Sequence, residues 1–236
     1  LANWLRLYQG VIWQASSEFE KQDICREIRH HVNVVIAPDI PPQFADSALL
    51  QKNKVAGELR VIFLSRITPK KNLLFAIQSL QSLQGRVTFD IYGPIADKEY
   101  WEQCRQAIKL LPNNVTVNYC GELQHVAVQE TLQRYHLFYL PTLGENFGYV
   151  VIEALGAACP VLISDTTPWR HLEKQQVGWD YPLTHQLFVD KLNELIAMNN
   201  DEYQAWSSAA VDFARKQGAA VEVVTQNKRL FEQLGV

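Results

Sequence analysis

This sequence predicts an α/β fold built on a Rossmann-like parallel sheet with helices on both faces. Two observations carry the prediction. Short apolar runs alternate with helix-patterned ones from about residue 58 onward. The strand-like runs are apolar on both of their faces, the pattern of strands in a sheet that helices cover on each side.

In chain order, residues 60–65 (RVIFLS) form the first of these strands and 72–83 (NLLFAIQSLQSL) have helical spacing. Residues 87–93 (VTFDIYG) read as a strand ending in Gly-Pro, and 98–111 as a helix stopped by Pro112. A strand at 115–121, a helix at 125–135 and a buried strand at 137–142 follow, then a helix at 149–158 and a strand at 160–165. Beyond Tyr181 the pattern is almost wholly helical, in three segments that begin near His185, Glu202 and Ala220. The first 45 residues differ: 10–16, 17–28 and 32–40 make one β–α–β unit of their own. One such unit cannot bury both faces of a sheet. It reads either as the tail of a preceding domain or as extra edge strands on the main sheet. Residues 41–58 are polar and proline-flanked, and read as a linker.

Composition narrows the function classes. The chain has 236 residues, 47% hydrophobic and 20% charged, which is ordinary globular composition with ample chain for a core. A formal net charge of −3 supplies no general basic field, so no nucleic-acid partner is expected. Cys25, Cys104, Cys120 and Cys159 form no CxxC pair and read as reduced cytosolic thiols. No apolar run reaches the roughly 18 residues of a transmembrane helix. The chain starts at Leu1, which raises the expectation of a fragment of a longer protein. His30, His31, His125, His136, His171 and His185 show no paired ligand spacing, and no DxD motif is present, so no metal is predicted. The six tryptophans do not recur at one spacing and read as core or interface fillers.

In an open parallel sheet, ligands bind where strands run at their carboxyl ends into loops and helices. Two such loops carry chemistry. After 60–65 comes RITPKKN, in which Thr68 suits an N-cap and Pro69 a first helical position. Arg66 and Lys71 then flank a helix N-terminus, an arrangement that favours an anion and most naturally a phosphate. The competing reading is a solvated basic turn. The second loop is LGENFGYVVIEA, with Glu145 and Glu153 eight positions apart. Gly148 would let backbone amides approach a ligand closely. Eight helical steps would span about 12 Å, too far for a glycosidase-like pair of acids but suited to hydroxyls at two places on one extended ligand. Glu153 interrupts an otherwise apolar segment, and an unpaired acid there is costly.

These stretches, SRITPKKN, the strand-ending YGP at 92–94 and PTLGENFGYVVIEALGAACPVLISD, resemble the donor-binding domain of family-4 retaining glycosyltransferases of the GT-B type. The resemblance runs over about residues 58–185, with E-x7-E at Glu145 and Glu153 as its most specific mark. It implies that residues 1–45 are the tail of an N-terminal acceptor domain and 46–236 the nucleotide-sugar donor-binding domain, the C-terminal half of a GT-B fold. Arg66 and Lys71 should neutralise the donor diphosphate. Glu145, with backbone amides near Phe147 and Gly148, should hold the sugar and distal phosphate, and Glu153 the ribose hydroxyls. Loops after Tyr92 and at 120–123 should line the base pocket, and Asp165–Trp169 should face the rim. The implied partners are a nucleotide-sugar donor, a glycan, lipid or small-molecule acceptor, and the missing N-terminal domain. The implied cofactor list is empty. The implied location is cytoplasmic, or peripheral at the inner membrane through the missing domain.

The chain departs from the family at two positions. Asn146 stands where the EGFG-like stretch commonly has glycine, and Ala158 where the helix commonly ends in glycine; Asn tolerates left-handed backbone, and Ala there would cost about 1 kcal/mol. The alternative function is a non-catalytic nucleotide-binding or interaction module on the same fold. A dinucleotide oxidoreductase and a P-loop enzyme are disfavoured, because neither GxGxxG nor GxxxxGK[ST] occurs.

Overall fold

The computed structural model describes residues 8, 10–28, 32–40, 42, 52–218 and 221–233. Trp4, His30, His31 and linker positions 43–51 lie outside the described residues. The N-terminal unit is a parallel pair, β1 (Ile12–Ala15) and β2 (Asn33–Ile36), joined by helix α1 (Glu18–Glu27). Ser17 caps α1, its Oγ accepting from the Glu20 amide at 3.2 Å. The β1–β2 pair is a separate two-stranded sheet, which removes the edge-strand reading.

The main sheet is parallel and has six strands: β3 (Glu58–Leu64), β4 (Arg86–Tyr92), β5 (Val115–Gly121), β6 (Leu137–Leu140), β7 (Val161–Ser164) and β8 (Gly178–Tyr181). Helices α2 (Leu73–Gln78), α3 (Lys98–Ile108), α4 (His125–Leu132) and α5 (Tyr149–Gly156) make the crossovers. The strand order is β5-β4-β3-β6-β7-β8. The chain therefore travels outward from β3 to β5, returns to β6 on the other side of β3, and travels outward again. Right-handed crossovers in opposite directions place helices on opposite faces, as predicted. Val61, Ile62, Phe63, Phe138, Tyr139 and Ile163 are wholly buried between those layers. Helices α6 (His185–Ala197), α7 (Asn200–Gly218) and α8 (Val221–Gln233) follow β8. Helix α8 reaches the N-terminal unit, where Asn227 Nδ2 donates to the Pro38 carbonyl at 2.8 Å.

Three local expectations are corrected and one strand is added. The last strand, β8, is absent from the sequence pattern: it is only GWDY, opened by a glycine that reads as a turn. That glycine is there for closeness, since a Cβ on Gly178 would lie 2.3 Å from the Val161 carbonyl oxygen of the neighbouring strand. The helix expected over 72–83 is regular only over Leu73–Gln78. A single 3₁₀ turn, Pro69–Lys71, precedes it, and Asn72 between them is left-handed at φ 58°. Thr68 has the extended backbone of a cap, but its side chain makes no capping bond.

The linker reading fails at its C-terminal end. Lys52 and Lys54 are buried, and Lys52 Nζ donates to the carbonyls of Ala157 at 2.9 Å and Ala158 at 2.7 Å. Those carbonyls end α5, so the ammonium satisfies groups that the helix leaves orphaned and sits at the negative end of its dipole. Burial pushes the Lys52 pKa down to about 8. From sequence alone, KNK is merely polar.

At the same helix end Ala158 has φ 56°, the left-handed backbone for which glycine is the usual choice. Ala158→Gly is expected to stabilise the protein by roughly 0.5–1 kcal/mol, because relief of that strain exceeds the extra freedom of the unfolded chain. The bonds from Lys52 and from Ser207 Oγ go to the Ala158 carbonyl and survive the change. Urea unfolding should show a higher midpoint at unchanged slope; a lower midpoint would show that no strain is stored there.

Candidate active site

Strands β3 and β6 leave the sheet centre in opposite topological directions, so their carboxyl ends open onto the crevice where ligands settle in this architecture. The loops after these two strands touch. The Leu143 amide donates to the Lys70 carbonyl at 2.8 Å, and Thr142 Oγ1 donates to the same oxygen at 3.1 Å. The Thr142 carbonyl in turn accepts from Ser164 Oγ at 2.5 Å and Thr166 Oγ1 at 2.8 Å. Thr142 thus ties the ends of β3, β6 and β7 together, a role that a lone threonine in PTLGE does not announce.

The predicted cationic and acidic turns meet directly. Lys71 Nζ lies 2.5 and 2.7 Å from the two carboxylate oxygens of Glu145. Both side chains are largely buried, 15% and 11% exposed, so water screens the pair little. Arg66, one residue beyond the Ser65 that follows β3, is exposed and forms no side-chain bond or ion pair among the described residues. Lys70 is also exposed. The helix-terminus part of the sequence argument is revised here. With one 3₁₀ turn and a left-handed Asn72 after β3, the cations themselves supply the positive field, and the helix that starts at this crevice is α5.

Helix α5 begins at Gly148, left-handed at φ 78°. Phe147 stacks edge-on against Trp169 at 5.2 Å between centroids, and Trp169 Nε1 donates to the Phe147 carbonyl at 2.6 Å. A Cβ on Gly148 would stand 3.5 Å from both that indole nitrogen and Glu145 Cγ. Trp169 therefore clamps the loop that carries Glu145, a function beyond the filler role its spacing suggested. The signal available in sequence was its place in DTTPW at a strand's carboxyl end.

Glu153 lies on α5 only four helical steps beyond Tyr149, about 6 Å of rise, so half of the 12 Å expected for continuous helix does not apply. Burial raises its pKa above the ordinary carboxylate value, and the nearby His125 opposes that shift. His125 Nδ1 stands 3.7 Å from Glu153 Oε1, at the first residue of α4. Sequence reasoning groups His125 with five unremarkable histidines and misses this placement. The loops after β4 and β5 are neighbours too: the Gly93 amide donates to the Gly121 carbonyl at 2.8 Å, and Tyr119 Oη to the Gly93 carbonyl at 3.0 Å. Asn146 does not use the left-handed backbone allowed for it. Its side chain instead reaches Glu20 of α1 at 2.8 Å. Among the described residues no cluster of three or more His, Cys, Asp or Glu is arranged to hold a metal ion, and no helix is long and apolar enough to cross a membrane.

The family of glycosyl transferases group 1 matches this chain over residues 47–212. The chain belongs to that family. Its N-terminal unit lies outside the matched stretch. A curated relative, the GtfA subunit of the UDP-N-acetylglucosamine–peptide N-acetylglucosaminyltransferase of Streptococcus parasanguinis, is 26% identical over 128 residues, 53% of this chain and 21% of that protein. Among solved structures, sucrose-phosphate synthase of Thermosynechococcus elongatus aligns with a TM-score of 0.70 at 16% identity, over 97% of this chain and 59% of that one. Anabaena HepE, solved with UDP and glucose, aligns at 0.69 with 19% identity, over 94% of this chain and 62% of that one. S. aureus TarM, in a complex with UDP, aligns at 0.69 with 17% identity, over 92% of this chain and 43% of that one. The group 1 chain described here thus spans about a fifth of its curated relative and about three-fifths of the first of these structures.

Proposed function

We propose that this chain is the donor-binding part of a retaining glycosyltransferase that moves a sugar from a nucleotide-sugar to an acceptor. The observation that carries the reading is the contact between Lys71 and Glu145 at the crevice between β3 and β6. It supports the reading because a cation suited to phosphate and a carboxylate suited to hydroxyls lie side by side. The donor diphosphate lies against Arg66 and Lys71. The sugar and the distal phosphate lie against Glu145 and the amides around Phe147 and Gly148, at the positive end of α5. Glu153 accepts hydrogen bonds from the ribose hydroxyls, and the base extends toward the loops after β4 and β5. Cleavage of the sugar–phosphate bond places negative charge on the departing diphosphate, and preorganised cations stabilise that charge. UDP complexes among the structurally similar proteins make UDP the first nucleotide to test. Residues 1–45 are then the end of an N-terminal acceptor domain. The acceptor is a glycan, a lipid-borne group or a small molecule, and the enzyme works in the cytoplasm or at the inner face of its membrane.

Glu153 provides the test. Its folded-state pKa is raised, so the folded state holds the proton more tightly than the unfolded chain does. The associated stability is present below the unfolded pKa and is lost as pH rises through the folded value; at neutral pH the buried charge is a cost. Glu153→Gln is therefore expected to raise the melting temperature of the free protein at pH 7. It should also shrink the further rise caused by a nucleoside diphosphate, because a carboxylate binds hydroxyls more strongly than an amide does. Thermal unfolding with and without millimolar UDP, GDP and ADP measures both effects. A melting curve that none of the three nucleotides moves would remove the donor-site reading.

A further inference from the structure

Asn146 and Glu20 join the acidic loop to the N-terminal unit. Asn146 Nδ2 donates to Glu20 Oε1 at 2.8 Å, across 126 positions of sequence. The other carboxylate oxygen of Glu20 accepts from the Ser16 amide at 2.7 Å and from Ser16 Oγ at 2.6 Å. Ser16 follows β1, and Ser17 caps the helix that carries Glu20. Glu20 is consequently fixed from its own side and presents one oxygen to the loop after β6. Asp39, just beyond β2, is a second carboxyl in this region: burial and then the Glu20 charge raise its pKa, and burial and then the Asp39 charge raise that of Tyr149.

Glycine at position 146 would have no side chain to make this connection. The loop is otherwise held from the donor side, through Leu143 to Lys70, Gly144 to Thr142 and Phe147 to Trp169. Asn146 immediately follows Glu145, so any force on it is transmitted to the carboxylate that pairs with Lys71.

We infer that Asn146 is a positioning residue: its bond to Glu20 latches the 143–148 loop to the N-terminal unit and sets Glu145 for the donor sugar only when the two sides of the cleft are together. The inference rests on the donor-site reading and adds a coupling to it. Arg66 and Lys71 grip the diphosphate from the donor side, so breaking the latch lowers nucleoside diphosphate affinity less than it lowers transfer. Placement of the sugar depends on the loop, so the rate of transfer falls.

The experiment uses the intact protein and two variants. Asn146→Asp sets a carboxylate against Glu20 and breaks the latch. Adding Glu20→Gln rebuilds it with polarity reversed: the glutamine oxygen takes the two Ser16 donors, and its amide donates to the carboxylate introduced in the loop. The expected fall in kcat for Asn146→Asp is roughly fivefold to tenfold, the scale of one lost solvent-exposed hydrogen bond, with a smaller change in the Kd for a nucleoside diphosphate. The double variant should recover the parent kcat. Hydrogen exchange of the 143–148 amides supplies a readout that needs no donor: faster in Asn146→Asp, restored in the double variant. If exchange and kcat match the parent in Asn146→Asp, or if Glu20→Gln fails to restore either one, the latch is wrong. Failure of the parent to bind any nucleoside diphosphate refutes the donor reading instead, while the exchange result still decides whether the loop is latched.

Discussion

Lys71→Ala is expected to lower sugar transfer by roughly 10²–10³-fold, the effect of removing one preorganised donor from a developing anion. Two physical losses add. One of the two cations assigned to the proposed diphosphate disappears, and Glu145 loses the partner that sits 2.5 and 2.7 Å from its oxygens. A bare carboxylate in that largely buried crevice repels the incoming diphosphate. The two losses separate in a double-mutant cycle. Glu145→Gln alone frees Lys71, so nucleoside diphosphate affinity should hold or tighten while transfer falls with the weakened grip on the sugar. Lys71→Ala with Glu145→Gln should bind the diphosphate better than Lys71→Ala alone. Calorimetry and initial rates measure both quantities. Parent-like rates and affinities in Lys71→Ala would show that the ion pair merely holds two loops together.

The fold was legible because its strands announce themselves by burial. Runs such as 60–65 and 137–142 are apolar at nearly every position, which only a sheet covered on both faces requires. Strand β8 escaped because four residues beginning with glycine carry too little pattern, and its reason for being a strand is the close approach to Val161, a property of the neighbour. Lys52 escaped for a related cause. Whether a lysine among polar residues is buried depends on carbonyls more than 100 positions away, at Ala157 and Ala158.

In the site, the charged groups were legible and their supports were not. Arg66, Lys71, Glu145 and Glu153 are unusual in their local contexts, an exposed basic turn and an acid inside apolar helix, so each could be singled out. Lys71 and Glu145 form an ion pair, Glu153 has the raised pKa of a largely buried acid, and Arg66 stands unpaired among the described residues at the end of β3. Thr142, Trp169 and His125 act through backbone carbonyls or through space on groups that sequence order keeps apart. No spacing rule reveals that the Trp169 indole holds the Phe147 carbonyl. Asn146 stands out in sequence as a departure, but the backbone explanation looks in the wrong place: what changed is what the side chain can reach.

Gly93→Ala should destabilise the fold by about 2–4 kcal/mol, combining backbone strain with overpacking. Gly93 has φ 135°, and a Cβ there would lie 2.0 Å from the Ser65 carbonyl oxygen and 3.4 Å from the Arg66 amide nitrogen. The carbonyl cannot step aside freely. Ser65 donates its amide to the Tyr92 carbonyl at 3.1 Å, and Ile67 donates to the Pro94 carbonyl at 2.9 Å, so the ends of β3 and β4 are bound on both sides of the contact. Relief of the clash must move the backbone that carries Arg66, and nucleoside diphosphate affinity should fall along with stability. Gly121→Ala is the control. Its φ of 79° is also positive, but a Cβ there meets nothing within 4 Å, so it should cost only about 1 kcal/mol and leave Arg66 in place. Urea unfolding and nucleotide binding of the two variants, side by side, distinguish strain from collision. Equal losses in both would mean that the strand ends part easily and that the packing of Gly93 does not govern where Arg66 stands.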